Sequence, residues 1–396
     1  MKVLFVHDHV FVTKDGKVYA NAFSYQVLKR YVDVFSHITV LARNREARSD
    51  EQVDLPLASG EDVSFIFLES IASFRSFFGL RQAHEKKISK MVKEYDAVIA
   101  RVPSELGLMT ARVANKMHKP YMLEVVGCGW DAMWNYGTWQ SRIYAPFLYA
   151  KVKNSVKKSN YITYVTEKFL QKRYPSSRQG KAMGISDVRL PEADEKILWH
   201  RINKIEMMGA KRVYGTIGNL NVGYKGIDVA MRTLAKLKHE SNDFEYHILG
   251  AGDSLEYRQL AEKLGIADNV FFDGVLPEGK AVYAWLDSLD IYLQPSLAEA
   301  MSRSLIEAMS RGCPAIGSSV GGIPELLDEK MIFDHKNPKQ FLNLIGNLTN
   351  DKALMLDEAK VNFNRALDFQ KSHLDEKRIA FWIKFRDNIK DVESVT

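Results

Sequence analysis

The stretch PSLAEAMSRSLIEAMSRGCP, Pro295 to Pro314, follows the apolar run Ile291 to Gln294 and decides how the chain is read. A short β-rich run, a loop and then a helix-period segment make one unit of a parallel α/β sheet. From about Arg303 onward, Leu305, Ile306 and Met309 share a face, which predicts a helix packed on a core. The N–H groups of Met301, Ser302 and Arg303 then stand at its N-terminus. Unpaired donors and the positive end of the helix dipole suit an anion there, with a nucleotide diphosphate the obvious candidate. Glu299, in the preceding loop, is placed to accept from sugar hydroxyls beside such a phosphate, and Glu307, about one turn into the helix, to accept from a vicinal diol such as ribose. A solvated loop charge and a helix-surface glutamate would show the same spacing. Position favours the site, because ligands in open α/β sheets bind beyond the carboxyl ends of the strands.

Working outward, GTIGNLNVGYKGID, Gly215 to Asp228, again reads as a strand running into a glycine-rich loop and then a helix. Gly218 and Gly226 let backbone approach a phosphate, and Lys225 supplies a point charge to it. It is not a Walker loop, since Gly226 stands where that motif needs Ser or Thr. Gly250 and Gly252 follow the strand Tyr246 to Leu249 like the start of a dinucleotide fingerprint, but Leu255 occupies the place of the third glycine. A tight turn beside the ligand is the better reading.

The same alternation recurs through all 396 residues, more than one core supports, so two α/β domains are expected. Strands are predicted at Lys2 to His7, Ile38 to Leu41, Val63 to Phe67, Ala97 to Ala100, Tyr121 to Val126 and Ile162 to Val165, with helices such as Ala20 to Val34 and Glu105 to Met117 between them. A second set covers Val213 to Ile217, Tyr246 to Leu249, Val270 to Phe272, Ile291 to Gln294 and Ala315 to Gly317. The polar stretch Ser176 to Lys181, then Gly184 to Pro191 and the charged Glu192 to Lys204, reads as the linker region. The domains are expected at residues 1–190, binding the acceptor, and 191–370, binding the donor. A last helix within 371–396 carries Ile379, Trp382, Phe385 and Ile389 on a face that must be covered, and it is expected to pack back on the first domain.

Only Cys128 and Cys313 are present, without metal-ligand spacing, which fits a reducing compartment and predicts a cytoplasmic protein. The apolar start Val3 to Val6 is too short for a signal-peptide core, and no apolar run approaches a membrane span. A net charge of +6 selects no partner by itself. His7 and His9 alternate on one strand face, where two histidines without a third ligand point to packing before metal.

Taken in order, these segments and SSVGGIPELL, Ser318 to Leu327, resemble the donor domain of the GT-B retaining glycosyltransferases, family 4, of the capsular and exopolysaccharide type. The resemblance runs from Val213 to about Leu327. It implies the GT-B fold, with two Rossmann-like α/β domains facing each other across a cleft. It also implies sugar transfer, with retention, from a UDP- or GDP-linked nucleotide diphosphate sugar to a saccharide or lipid-linked saccharide acceptor, as in surface polysaccharide biosynthesis. Lys225 on the diphosphate and Glu299 on the donor sugar are the implied catalytic pair, with Glu307 on the ribose. Gly218, Asn219, Gly226, Gly250, Gly252, Ala300, Met301, Ser302 and Arg303 complete the donor site. Asn219 replaces the family's arginine, for which Arg303 is the substitute at hand, and Ala300 replaces a glycine.

In the first half the family's histidine is absent from EVVGCGWDAMWNYG, Glu124 to Gly137, which is similar to a variant that places Gly127, Trp130 and Asp131 at the acceptor side of the cleft. There is no Asp-x-Asp motif, so neither a metal nor another cofactor is expected. Two basic and aromatic regions suit an anionic membrane surface at its inner face. One holds Phe74, Phe77, Phe78 and Leu80 beside Arg75, Arg81, Lys86, Lys87 and Lys90. The other runs from Trp134 through Tyr144, Phe147 and Tyr149 to Lys151, Lys153, Lys157 and Lys158. Core aromatics with solvated lysines would look the same, and no nucleic-acid-binding module is present. Two rival readings share the architecture: a catalytically inactive binding or partner subunit, and a sugar-nucleotide epimerase.

Overall fold

The computed structural model describes residues 1–69, 77–239 and 243–395. Phe74 and Arg75 of the first basic and aromatic region lie outside them, as do the side chains of Phe77, Phe78, Leu80 and Arg81. The chain divides into two compact units, Met1–Trp130, Tyr144–Ile185 and Asp375–Thr396 in one, and Asp131–Ile143 and Ser186–Leu374 in the other.

The first unit is built on strands β1 (Lys2–Lys14), β2 (Lys17–Tyr19), β3 (His37–Glu46), β4 (Val63–Phe67), β5 (Ala97–Val102), β6 (Tyr121–Val125), β7 (Tyr161–Tyr164) and β8 (Lys181–Gly184). Their order is β4-β3-β1-β5-β6-β7-β8, all parallel, with β2 folded back antiparallel on β1. Val3 to Val6 are fully buried, as a central parallel strand covered on both faces requires. β1 runs seven residues past the predicted His7, because Phe11 and Val12 re-enter the core after a register shift between Val6 and Val10. The helices are α1 (Tyr25–Phe35), α2 (Phe77–Glu94), α3 (Glu105–Lys116), α4 (Gly129–Trp134), α5 (Trp139–Lys158) and α6 (Phe169–Arg173), of which α4 from Asp131 and α5 up to Ile143 count with the second unit. α1 begins five residues later than predicted: Ala20 is held by the Pro56 carbonyl, and the Ser24 carbonyl accepts the first helical bonds.

The second unit carries α7 (Glu195–Glu206) and strands β9 (Arg212–Ile217), β10 (Phe244–Leu249), β11 (Val270–Gly274), β12 (Ile291–Gln294), β13 (Ala315–Ser318) and β14 (Ile332–Phe333). The order β11-β10-β9-β12-β13-β14, all parallel, is the doubly wound dinucleotide-type order with its reversal between β9 and β12. Helices α8 (Ile227–His239), α9 (Leu255–Lys263), α10 (Lys280–Ser288), α11 (Arg303–Ser310), α12 (Ile323–Leu326), α13 (Pro338–Asn350) and α14 (Lys352–Ala366) cover it. Ile227, Ala230, Met231 and Leu234 bury one face of α8, and Leu305, Ile306, Ala308 and Met309 one face of α11.

The expected linker is partly structured. Lys181–Gly184 pairs with β7 as an edge strand, and the charged segment forms α7. Its Asp194 caps the helix, and its Arg201 is buried because the guanidinium donates to the carbonyls of Leu286, Leu289 and Arg311. The last helix is α15 (Lys371–Val395). From Asp375 it belongs to the first unit, where Trp382 stacks on Tyr31 at 4.1 Å between ring centroids and Phe385 meets Tyr161 at 5.1 Å. Among the described residues no helix is long and apolar enough to cross a membrane.

Candidate active site

The reversal between β9 and β12 brings together the two segments singled out in the sequence. β9 ends at Ile217 and hands the chain to Gly218, a turn of 3-10 helix at Gly223–Lys225, and then α8. β12 ends at Gln294 and hands it to Glu299 and α11. The two loops are tied by the Leu297 amide donating to the Tyr224 carbonyl at 2.7 Å. Gly226 permits this approach: it has φ of 69°, and a Cβ there would stand 2.0 Å from the Pro295 carbonyl oxygen.

The outcome is a direct pair. Lys225 Nζ donates to Glu299 Oε2 at 2.8 Å, with both side chains partly buried. Glu299 is held from behind by the turn after β13, where Gly321 has φ of 60° and a Cβ would fall 1.6 Å from the Glu299 carbonyl oxygen. The Gly322 amide donates to the Ala300 carbonyl at 2.9 Å. Ala300 and Met301 follow on the loop, and the N–H groups of Met301, Ser302 and Arg303 have no acceptor among the described residues.

Ser302 is the N-cap of α11. Its hydroxyl donates to Gln294 Oε1 at 3.0 Å and accepts from the Leu305 amide, so its side chain is committed to the fold and only its backbone N–H is left open. Gln294, which sequence reading passed over, organises this corner from a fully buried position. Its Oε1 also accepts from Tyr292 and Ser304, and its Nε2 donates to Ser296 Oγ at 2.7 Å, which lies 3.5 Å from Glu299 Oε2. A glutamine ending an otherwise apolar strand was the available signal, because a buried amide demands partners.

Glu307 lies on α11, partly buried, and its carboxyl has no hydrogen-bond partner among the described residues. Burial pushes it up to about 7; Arg303 opposes this and Glu278 adds to it. Arg303 itself is exposed and stands 3.7 Å from Glu278, away from the Lys225–Glu299 pair in its bonding. Asn219 is exposed, and its Oδ1 accepts from the Asn221 amide at 2.8 Å, a local turn in the place where a cation was missed. The Gly218 amide donates to the Leu249 carbonyl, Leu220 to Ala251, and Asp253 to Asn221 Oδ1, so the Gly250 to Gly252 turn buttresses the Gly218 loop.

In the first unit, Gly127 follows β6 near Pro103, and Trp130 on α4 meets Tyr149 edge-on at 6.3 Å. Asp131 belongs to the second unit, where its carbonyl accepts from Asn135. Buried Glu124 accepts from Tyr31 at 3.0 Å and faces Arg101 at 3.5 Å. The rings of His7 and His9 both pack on Phe23, and burial beside Arg101 lowers the His9 pKa. Among the described residues no group of three His, Cys, Asp or Glu side chains could hold a metal ion. The second basic and aromatic region is only partly exposed. Trp134, Phe147, Lys157 and Lys158 face solvent, whereas Tyr144 and Lys151 bond Glu105 and Tyr149 donates to the Arg173 carbonyl.

Residues 211–351 match the family model "Glycosyl transferases group 1". Protein CapJ of Staphylococcus aureus is 30% identical over 393 residues, 99% of this chain and 97% of that protein. The putative colanic acid biosynthesis glycosyltransferase WcaL of Escherichia coli K12 is 35% identical over 111 residues, 26% of this chain and 27% of its own. The crystal structure of Anabaena HepE in complex with UDP shares the fold with a TM-score of 0.63 at 15% identity, covering 100% of both chains. With that full-length likeness to CapJ, the matched domain on the second sheet and two parallel α/β sheets, the chain belongs to the glycosyl transferases group 1 and is a glycosyltransferase of GT-B fold.

Proposed function

We propose that the chain moves a sugar, with retention, from a nucleotide diphosphate sugar to a saccharide or lipid-linked saccharide in surface polysaccharide biosynthesis. The observation that carries the donor half is the Lys225–Glu299 pair beside the open amides of Met301 to Arg303 at the sheet's reversal. A diphosphate laid on those amides takes the Lys225 ammonium, which releases Glu299 to the hydroxyls of the sugar. Glu307 accepts from the ribose diol. In the transfer the acceptor oxygen bonds the anomeric carbon as the bond from that carbon to the diphosphate oxygen breaks. The electron pair stays on the diphosphate, and the acceptor's proton leaves to it or to solvent. Lys225 and the start of α11 stabilise that growing negative charge, the term that contributes most to catalysis of this kind. With protein groups in this role, the reaction is proposed to need no metal.

UDP in HepE supports a uridine donor, with a guanosine donor as the other arm of the test; the naming of WcaL supports the polysaccharide setting. Purified chain is incubated with UDP- and GDP-sugars, with and without acceptor. Donor turnover that is lost in Glu299→Ala and Lys225→Ala supports the site. Turnover unchanged in both refutes it, conversion of the donor sugar without cleavage identifies an epimerase, and no turnover at all identifies a partner subunit.

Peripheral contact with an anionic membrane at its cytoplasmic face is part of the same proposal. On α5, Trp139, Ile143 and Phe147 recur every four residues and are all exposed, and exposed Lys157 and Lys158 close the helix. Apolar side chains on one helix face with cations beside them suit the headgroup boundary.

A further inference from the structure

A second feature of the donor-binding unit has no place in that scheme. A groove of about 1000 Å³ runs between α8, α9 and the segment Asp131–Ile143, which belongs to this unit although it stands in the first half of the sequence. Its volume is at the top of the range of about 300–1,000 Å³ usual for small-molecule pockets, so it suits an extended ligand.

Its lining is mixed. Trp134, Tyr224 and Tyr257 contribute rings, and Asp228 and Glu256 contribute two carboxylates against three cations, Arg232 among them. The side chains of Asp228, Glu256 and Arg232 make no hydrogen bond or ion pair with a described residue, so they are open to a ligand. Carboxylates accept from vicinal hydroxyls, a guanidinium donates to ring and hydroxyl oxygens, and aromatic faces cover the C–H face of a pyranose. A lipid chain would leave these charges unpaired, at a cost.

The groove's inner end is fixed by the pair that ties the site together. Tyr224 and Leu297 both line it, bonded amide to carbonyl, and they stand one residue before Lys225 and two before Glu299. We propose that this groove is an acceptor subsite that seats an oligosaccharide with its growing end directed toward the Lys225–Glu299 pair. It rests on the donor reading given under the proposed function.

The test uses the full chain and named probes. Maltohexaose, cellohexaose, chitohexaose and a hyaluronan hexamer are titrated by calorimetry, and UDP and GDP are titrated separately. The expected result is binding of at least one hexamer, weakened at least tenfold in Tyr257→Ala and in Trp134→Ala, with nucleotide affinity retained as proof of folding. Glu256→Gln should weaken it too while preserving shape. If none of the four hexamers binds, or if binding is indifferent to these substitutions, the acceptor subsite is overturned. Nucleotide binding that fails, or that ignores Lys225→Ala, instead overturns the donor reading.

Discussion

Replacing Glu307 by glutamine tests whether this carboxylate, unpartnered in the free protein, is kept for a ligand diol. Lifting a carboxyl from its usual 4.5 to about 7 by burial costs at most ~3 kcal/mol when it ionises. Partial solvent exposure reduces that to ~1.5 kcal/mol. The sign follows from a folded pKa above the unfolded one: Glu307's contribution to stability is fully present below about pH 4.5 and is lost as pH rises through about 7. Glu307→Gln removes the penalty, so the variant should exceed wild type by ~1.5 kcal/mol at pH 8 and by little at pH 5. Ligand binding should move the other way. Only the ionised form accepts from both ribose hydroxyls, so wild type should lose more affinity for the bound nucleotide than Glu307→Gln as pH falls from 8 to 6. Comparing both proteins with the same ligand cancels the phosphate's own titration. Denaturant melts without ligand and calorimetric titrations at pH 6, 7 and 8 read the two effects. Parallel pH profiles for variant and wild type in both assays would refute the reasoning.

Gly226→Ala must move the Pro295 carbonyl and adopt an unfavourable φ, so a loss of ~2–3 kcal/mol in melting experiments is expected. Gln294→Leu strips Ser302 and Ser304 of a buried acceptor and should cost ~2–4 kcal/mol while lowering donor turnover, because the start of α11 loosens. Trp139→Glu with Phe147→Glu should reduce sedimentation with phosphatidylglycerol vesicles at least tenfold and leave donor turnover intact; equal sedimentation would remove α5 from the membrane contact. Turnover should survive EDTA, and its loss with recovery on added magnesium would overturn the metal-free proposal.

Much of the second sheet is legible because strands such as β9, β10 and β12 are short apolar runs that lead into a glycine or a helix cap, as at Ile217–Gly218 and Gln294 to Ser302, whereas the two-residue β14 is too short to show a pattern. Glu299 and Lys225 could be named from their loops, but not their 2.8 Å pairing, since spacing along the chain carries no register across the sheet. α7 resembles a linker in sequence because Arg201 occupies the core stripe that an aliphatic residue would mark between Ile197 and Ile205. β8 is hidden for the opposite reason: as an edge strand with exposed Lys181 and Ala182 it shows little apolar signal. Asp131–Ile143 joins the second unit through packing alone, which no local pattern announces.

The most direct measurement is a crystal structure of the chain grown with UDP or GDP and, separately, with a corresponding sugar nucleotide. The account places the diphosphate oxygens within hydrogen-bond distance of the Met301, Ser302 and Arg303 amides, with the Lys225 ammonium turned from Glu299 onto them. A nucleotide held elsewhere, with the Lys225–Glu299 pair still closed, would contradict it.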